Sequence, residues 1–236
     1  MRWRLILILP GFCFGNEPVV EPDQFLPGHV SGTQILRPAM PKPMFLGPGP
    51  PYPNPQIPNL ESYAAAWSSR VERVIQTGVV LLSKGCTVTS SDPAPVGGLS
   101  LITDGERFGD DGYFAELAPG KQWVQIDLKQ SQRLHLIWVW QFHMMPVSFR
   151  DVVLQISDDR GFKTSTTVFN TDHDNSSSLG NGRDPSFYTS NNGRAIAFTP
   201  VSGRYVRLWS NGADVLETNC YIEVSVYGEP ATPASK

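Results

Sequence analysis

The sequence predicts an all-β protein, a jelly-roll β-sandwich preceded by a signal segment, a proline-rich linker and a short helix. After residue 79, short runs in which apolar and polar residues alternate are separated by Gly, Pro, Asn and Asp. This pattern is typical of antiparallel strands joined by turns. No long helical pattern interrupts the region, and a chain of 236 residues is long enough for one well-buried core and a tail.

Residues 1–15 have the order of a secretory signal. Two arginines precede an apolar run at residues 5–9, and Gly15 lies near a suitable cleavage point. The run is shorter than the roughly 20 apolar residues that a membrane-spanning helix needs. We therefore expect a secreted, periplasmic or cell-surface protein whose mature chain has no membrane-spanning segment. A frayed tail or a wrongly assigned start is the alternative.

Residues 16–59 are predicted to be a disordered linker. Residues 18–58 contain 12 of the 21 prolines of the chain. Proline fixes φ and removes a backbone donor, so such a stretch is expected to be extended or disordered.

A short helix is predicted over residues 60–78. Tyr63, Trp67 and Val71 follow helical spacing, Ser62 is a suitable N-cap, and Gly78 is a stop signal. We expect this helix to lead into the β-sandwich.

Residues 79–230 are predicted to form the β-sandwich domain, and residues 231–236 a short tail. A run at residues 134–142 is apolar on both faces and indicates a central strand. The runs that alternate lie at residues 123–128, 152–157, 205–209 and 222–226.

The charge of the chain argues against two classes of partner. The formal net charge is −3, with no basic cluster and no acidic run. Nucleic acid and anionic membrane surfaces are therefore poor candidates, and a neutral ligand is favoured.

Two cysteines, Cys86 and Cys220, flank the strand-rich region. In an exported chain they could form a disulfide that closes most of the domain. The alternative is a pair of buried free thiols, because cysteine is among the most readily buried residue types.

Five short motifs, in this order, carry a family likeness. They are ITDG at 102–105, QWVQIDL at 122–128, VLQISDD at 153–159, GRYVRL at 203–208 and IEVSVYG at 222–228. With these motifs, residues 79–228 resemble the discoidin, or coagulation factor type C, domain of the galactose-binding-like superfamily. The resemblance implies a non-catalytic binding module that recognises carbohydrate through the loops at one end of its sandwich.

The resemblance also implies a structural calcium ion. In such domains the ion lies near the Asp-Gly loop, and a glutamate of the last strand helps to hold it. Here Asp104 and Glu223 would be the side-chain ligands, with backbone carbonyls near Leu101 and at residues 106–108, a set of oxygens that suits Ca²⁺. The loop lacks the threonine and tryptophan usual in the family. The alternative is that Asp104 caps a turn and that Glu223 makes a buried hydrogen bond or an ion pair with an arginine.

Carbohydrate recognition needs an aromatic plane for the apolar face of a sugar ring and planar polar groups for its hydroxyls. Trp140, Phe142 and His143 end the predicted central strand, Arg150 begins the next strand, and Asn211 lies in a later turn. In sugar-binding members of the family a histidine and an arginine from about these places contact the ligand, which favours His143 and Arg150. The alternative is that the aromatic residues are core, that His143 is a satisfied loop histidine, and that Arg150 pairs with Asp151 or another surface carboxylate.

The sequence carries no motif for catalysis. It has no His-Glu-x-x-His zinc pattern, no Gly-x-Ser-x-Gly nucleophile elbow and no P-loop. We therefore predict a binding module for a glycan or glycoprotein and not an enzyme. Two alternatives stay open: a module of the same fold that contacts another protein, and a small glycan hydrolase with two facing carboxylates.

Overall fold

The computed structural model describes residues 22–43, 57–68, 71–109 and 112–231. The predicted signal segment, much of the predicted linker and residues 232–236 of the tail lie outside these ranges. The elements are β1 (Gln24–Pro27), β2 (Thr33–Arg37), α1 (Tyr63–Ser68), β3 (Arg73–Gln76), β4 (Val80–Leu81), β5 (Thr87–Ser90), a 3-10 helix (Leu99–Thr103), β6 (Ala115–Leu117), β7 (Lys121–Gln141), β8 (Val153–Ser157), β9 (Thr166–Asn170), β10 (Arg194–Asn211) and β11 (Asn219–Glu229).

Two long strands, β7 and β10, form the frame of the sandwich. They pair antiparallel along most of their length, and the register shifts between Ala197 and Val201 and again between Gly203 and Tyr205. The first half of β7 also pairs with β5, and the second half of β10 with β8, which pairs with β9. The second half of β7 pairs instead with β11, which pairs with β4 and β6. The β7–β10 ladder thus contributes to both layers of the sandwich, one with β5, β8 and β9 and the other with β4, β6 and β11.

The two layers enclose one apolar core. Ile126 comes from the first half of β7, Ile137 from its second half, Leu208 from β10 and Val224 from β11, and all four are completely buried in the same cluster. The outward side chains of the first half of β7 are polar or aromatic, as the alternating pattern predicts. The prediction of an all-β sandwich is therefore confirmed.

A third layer covers the outer face of the β11–β7 sheet. Strands β1, β2 and β3 form a separate antiparallel sheet. Leu36 of β2 packs in a second apolar cluster with Trp138, Trp140 and Tyr227 of the sandwich, and all four side chains are at most 1% exposed. The N-terminal part of the chain is thus packed against the domain.

This layer corrects two boundaries predicted from the sequence. Residues 24–37 lie in the predicted disordered linker, but ten consecutive residues from 28 to 37 contain no proline and supply β2. The predicted helix over 60–78 is limited to α1, because the β-branched Val74 and Ile75 pair with β2 as part of β3. Tertiary pairing overrides the helical spacing there.

The fold brings the two ends of the long ladder to one end of the sandwich. At the start of β11, the side chain of Asn219 donates to Ala118 O and Gly120 O, just before β7 begins. The backbone N–H of Phe142, just after β7 ends, donates to Cys220 O at 3.3 Å. The loops that follow β7 and β10 therefore lie together. In the described ranges, no helix is both long and apolar enough to cross a membrane.

Candidate functional site

Two loops at this end of the sandwich are bonded to each other. We call them the loop pair: residues 142–152, after β7, and residues 211–218, from the end of β10. The backbone N–H of Arg150 donates to Gly212 O at 2.9 Å, and the backbone N–H of Asn211 donates to Arg150 O at 3.0 Å. The loop pair is therefore held in position by the protein itself.

Polar side chains gather on the loop pair. The Arg150 guanidinium donates to Ala213 O, and it lies 3.5 Å from Asn211 O. Asn211 Nδ2 donates to Asp151 Oδ2 at 2.8 Å, and Ser176 Oγ donates to the same oxygen at 3.0 Å. Arg150, Asp151 and Asn211 are all partly exposed. The structure thus brings together Arg150 and Asn211, as the sequence predicts, and adds Asp151.

A loop that follows β9 completes this polar group. Carboxylate oxygens of Asp151, Asp172 and Asp174 lie within 4.8 Å of one another. Asp172 is completely buried and accepts hydrogen bonds from the backbone N–H of Ser176 at 3.1 Å and of Ser177 at 2.9 Å. Hydrogen bonds from the Ser176 backbone lower the pKa of Asp174. The loop is therefore organised by its own turns.

Trp140 lies elsewhere, in the interface between the sandwich and the N-terminal sheet. It is completely buried and stacks on Trp138, with ring centroids 5.6 Å apart and planes 9° from parallel. Its Nε1–H donates to Asn191 O at 3.0 Å, and the Arg107 guanidinium lies 4.5 Å from its ring centroid. Trp140 therefore offers no surface to a ligand.

His143 and Phe142 also face protein. His143 is 3% exposed, and its Nε2 lies 2.9 Å from Arg107 O. Phe142 is partly buried and packs edge-on against Phe114, with ring centroids 5.9 Å apart. The structure thus separates the aromatic and histidine candidates from Arg150 and Asn211.

The predicted calcium ligands have protein partners. Glu223 is completely buried in β11, where its Oε2 accepts from the Gly105 N–H and its Oε1 from Ser225 Oγ, each at 3.0 Å. Asp104 is exposed, and its Oδ1 accepts from the Glu106 N–H at 2.8 Å. Burial raises the pKa of Glu223 to about 8. The side chain of Asp104 is exposed, but the protein around its carboxyl removes part of its water and raises its pKa as well.

These residues do not fit a calcium ion in this arrangement. Both oxygens of Glu223 already accept hydrogen bonds from the protein, Oε2 from the Gly105 N–H and Oε1 from Ser225 Oγ. Positive side chains are already present: the charge of Arg107 acts on Glu223, and that of Lys84 acts on Asp104. The ammonium of Lys84 is close to this loop: a Cβ atom added to Gly105 would lie 3.5 Å from Lys84 Nζ. The arrangement is the alternative interpretation of the sequence, a capped turn and a hydrogen-bonded buried glutamate.

Cys86 and Cys220 are buried free thiols, which is the second of the two arrangements that the sequence leaves open. Burial raises the pKa of Cys86, and it raises the pKa of Cys220 to about 11. Such thiols are poor nucleophiles at neutral pH.

Sequence reasoning named Asp151 only as a partner for Arg150, whereas in the structure its carboxylate accepts from Asn211. It missed the buried arginine, Arg107. Arg107 follows the Asp-Gly motif, and its partner Asp23 lies 84 residues away in the predicted linker. No local pattern in the sequence points to that pair.

Comparisons with known proteins found similar solved structures but no matching family model and no matching curated sequence. The CBM32 of AlyQ, in complex with 4,5-unsaturated mannuronic acid, has a TM-score of 0.44 and 18% identity over 59% of this chain and 92% of that one. A chitosan-binding module from a chitosanase/glucanase of Paenibacillus sp. IK-5 has a TM-score of 0.46 and 22% identity over 63% and 99%.

A third match is a CBM32 from Clostridium perfringens in complex with GalNAc-β-1,3-galactose. Its TM-score is 0.46, with 13% identity over 62% of this chain and 99% of that one. At such identities and TM-scores, no ligand and no binding residue is transferred from these proteins to this chain.

Proposed function

We propose that this chain is a non-catalytic carbohydrate-binding module of an exported protein, and that the loop pair binds the glycan. The observation that carries the proposal is the hydrogen-bonded pair of Asn211 and Asp151, partly exposed on loops that are bonded to each other. The signal-like sequence at residues 1–15 supports export.

Recognition would use groups that are already in position. The carboxylate of Asp151 and the carboxamide of Asn211 are planar groups that can accept and donate hydrogen bonds to neighbouring sugar hydroxyls. The bonds between the two loops reduce the entropy lost when a ligand orders them. The Arg150 guanidinium holds the carbonyl of Ala213, so its main contribution would be to position the loop.

The test is a screen of the full chain on a glycan array, followed by titration of the best ligand. Asn211→Ala removes the carboxamide and leaves the backbone bond to Arg150, so we expect binding to weaken about tenfold, or about 1.4 kcal/mol. Asp151→Asn removes the charge at a residue whose φ of 52° asparagine accepts. We expect a similar loss.

Arg133→Ala is the matched control, because Arg133 is an exposed arginine in β7 outside the loop pair. Its binding should equal that of the wild type. Equal binding by all three variants, each with an unchanged melting temperature, would remove the loop pair from the site.

A second candidate function is contact with another protein through the same loops. Two apolar side chains of the loop pair are well exposed, Met145 at 47% and Val215 at 62%. Such a tip suits a protein surface as well as the apolar face of a sugar. A folded sample that binds no glycan would favour this function, and Val215→Asp would then abolish binding to the partner.

Hydrolysis of the glycan is the weakest alternative. Two catalytic carboxyl groups stand about 5 to 9.5 Å apart across a cleft in glycosidases. In the described ranges, the cluster of three acidic side chains has its oxygens within 4.8 Å, and Asp172 is completely buried in turn hydrogen bonds. Incubation of the bound glycan with the protein should release no product.

A further inference from the structure

Arg107 is a charged side chain in the interior, at the junction of the sandwich and the N-terminal sheet. The residue is 4% exposed. Its guanidinium donates to Asp23 Oδ1 at 2.7 Å and to Asp23 Oδ2 at 3.2 Å, and it donates to Ala39 O at 2.9 Å. The side chain of Asp23 is 5% exposed. The carboxylate that neutralises Arg107 thus comes from the segment before β1.

The same guanidinium also contacts the sandwich. It donates to Ser225 Oγ at 3.1 Å, and Ser225 Oγ donates in turn to Glu223 Oε1 at 3.0 Å. Its Cζ lies over the Trp140 ring, 4.5 Å from the ring centroid. The Tyr227 hydroxyl donates to Asp23 Oδ2 at 2.6 Å. Arg107 therefore joins β11, the end of β7 and the N-terminal segment.

The backbone around Arg107 is fixed to the same elements. The Gly105 N–H donates to Glu223, and Arg107 O lies within hydrogen-bond distance of His143 Nε2. Glu106 Oε1 accepts from the backbone N–H of Arg107 at 2.8 Å. The position of the guanidinium is thus set by the loop after the 3-10 helix, the loop for which the sequence predicts calcium.

We propose that Arg107 is the built-in cation of this domain. Its guanidinium is the positive charge of this site, joined to Glu223 through the Ser225 hydroxyl, and its need for the Asp23 carboxylate makes the segment 22–39 a required part of the fold. Burying a cation is costly unless hydrogen-bonded opposite charge surrounds it, and here that charge comes from outside the sandwich. The domain is then independent of calcium and dependent on Asp23.

Thermal melting of the full chain tests both parts. The melting temperature should be the same, within about 1 °C, in excess Ca²⁺ and in excess chelator. Asp23→Asn keeps the shape but removes the opposite charge, so we expect the melting temperature to fall by roughly 10 °C. Glu72→Gln is the matched control. Glu72, just before β3, pairs with Arg37 of β2, and both side chains are about half exposed, so a fall of at most about 2 °C is expected.

A double-mutant cycle distinguishes direct coupling from a general effect on the segment. If Asp23 acts through Arg107, the variant with both Asp23→Asn and Arg107→Gln should melt close to Arg107→Gln alone. Additive losses would contradict the coupling, and a melting temperature that drops on chelation would overturn the proposal. If the Arg107→Gln variants are too unstable to purify, two measurements decide. They are the melting temperature of the wild type in Ca²⁺ and in chelator, and the melting temperatures of Asp23→Asn and Glu72→Gln. None of these readouts depends on glycan binding.

Discussion

Glu223 is completely buried, and its carboxyl feels the charges of the buried Arg107 guanidinium and of the exposed Asp104 carboxylate. Burial is the largest influence and raises the pKa of its carboxyl to about 8, while the Gly105 N–H and the Arg107 guanidinium act in the opposite direction. The Asp104 carboxylate raises the pKa further. The folded protein therefore holds a proton on Glu223 at pH values where the unfolded chain has released it.

The pH dependence of stability follows from this shift. The folded pKa of about 8 lies above the ordinary value of 4.5, so the stabilisation is complete below pH 4.5 and is lost as the pH rises to about 8. Its slope is at most about 1.4 kcal/mol per pH unit. Melting curves from pH 5 to pH 8 should show a decline in the wild type that is weaker in Glu223→Gln. Parallel curves for the two proteins would contradict the shifted pKa.

At the scale of elements, β2 is the strand that attaches the N-terminal sheet. It lies between β1 and β3, and its Leu36 is completely buried against the sandwich. Val74 of β3 is 67% exposed. Truncating Leu36 should therefore lower the free energy of unfolding much more than truncating Val74.

Leu36→Ala should lower the free energy of unfolding by about 2 to 5 kcal/mol, because it leaves a cavity under the sheet. Val74→Ala, the control, should change it by at most about 0.5 kcal/mol. Denaturant titration of the two variants measures both values. A small effect of Leu36→Ala would mean that β2 does not pack on the sandwich in solution.

At the scale of the molecule, the domain has three layers. The two layers of the sandwich enclose the main core, to which both halves of β7 contribute. The N-terminal sheet is the third layer and covers Trp138, Trp140 and Tyr227. The domain in this protein therefore begins before residue 79, where the sequence places its boundary.

A chain that starts at residue 79 should be poorly folded. It lacks Leu36 and Asp23, so two stacked indoles and the Arg107 charge would face water. We expect such a chain to aggregate or to bind a hydrophobic dye, whereas a chain that starts at residue 22 should unfold cooperatively. Equal melting temperatures for the two chains would show that the third layer is dispensable.

Much of the sandwich could be predicted from its sequence, because strand alternation and turn residues are local signals. The central strand at 134–142 and the alternating runs at 123–128 and 205–209 all lie in β7 or β10 or directly at their ends. The candidate site was predicted in part: Arg150 and Asn211 do meet. Trp140 and His143 do not join them, because no local pattern indicates that a further layer covers that end of β7.

The sequence by itself determined the alternating strands, the turns between them and the balanced charge, since each depends on residues close together in the chain. Only the tertiary structure decided which of the aromatic residues are exposed, whether the cysteines pair, and what neutralises the buried charge of Arg107. Those outcomes depend on contacts such as Asp23 with Arg107, 84 residues apart. Burial and charge pairing are properties of the space around a side chain, and that space is filled by segments that local patterns cannot place.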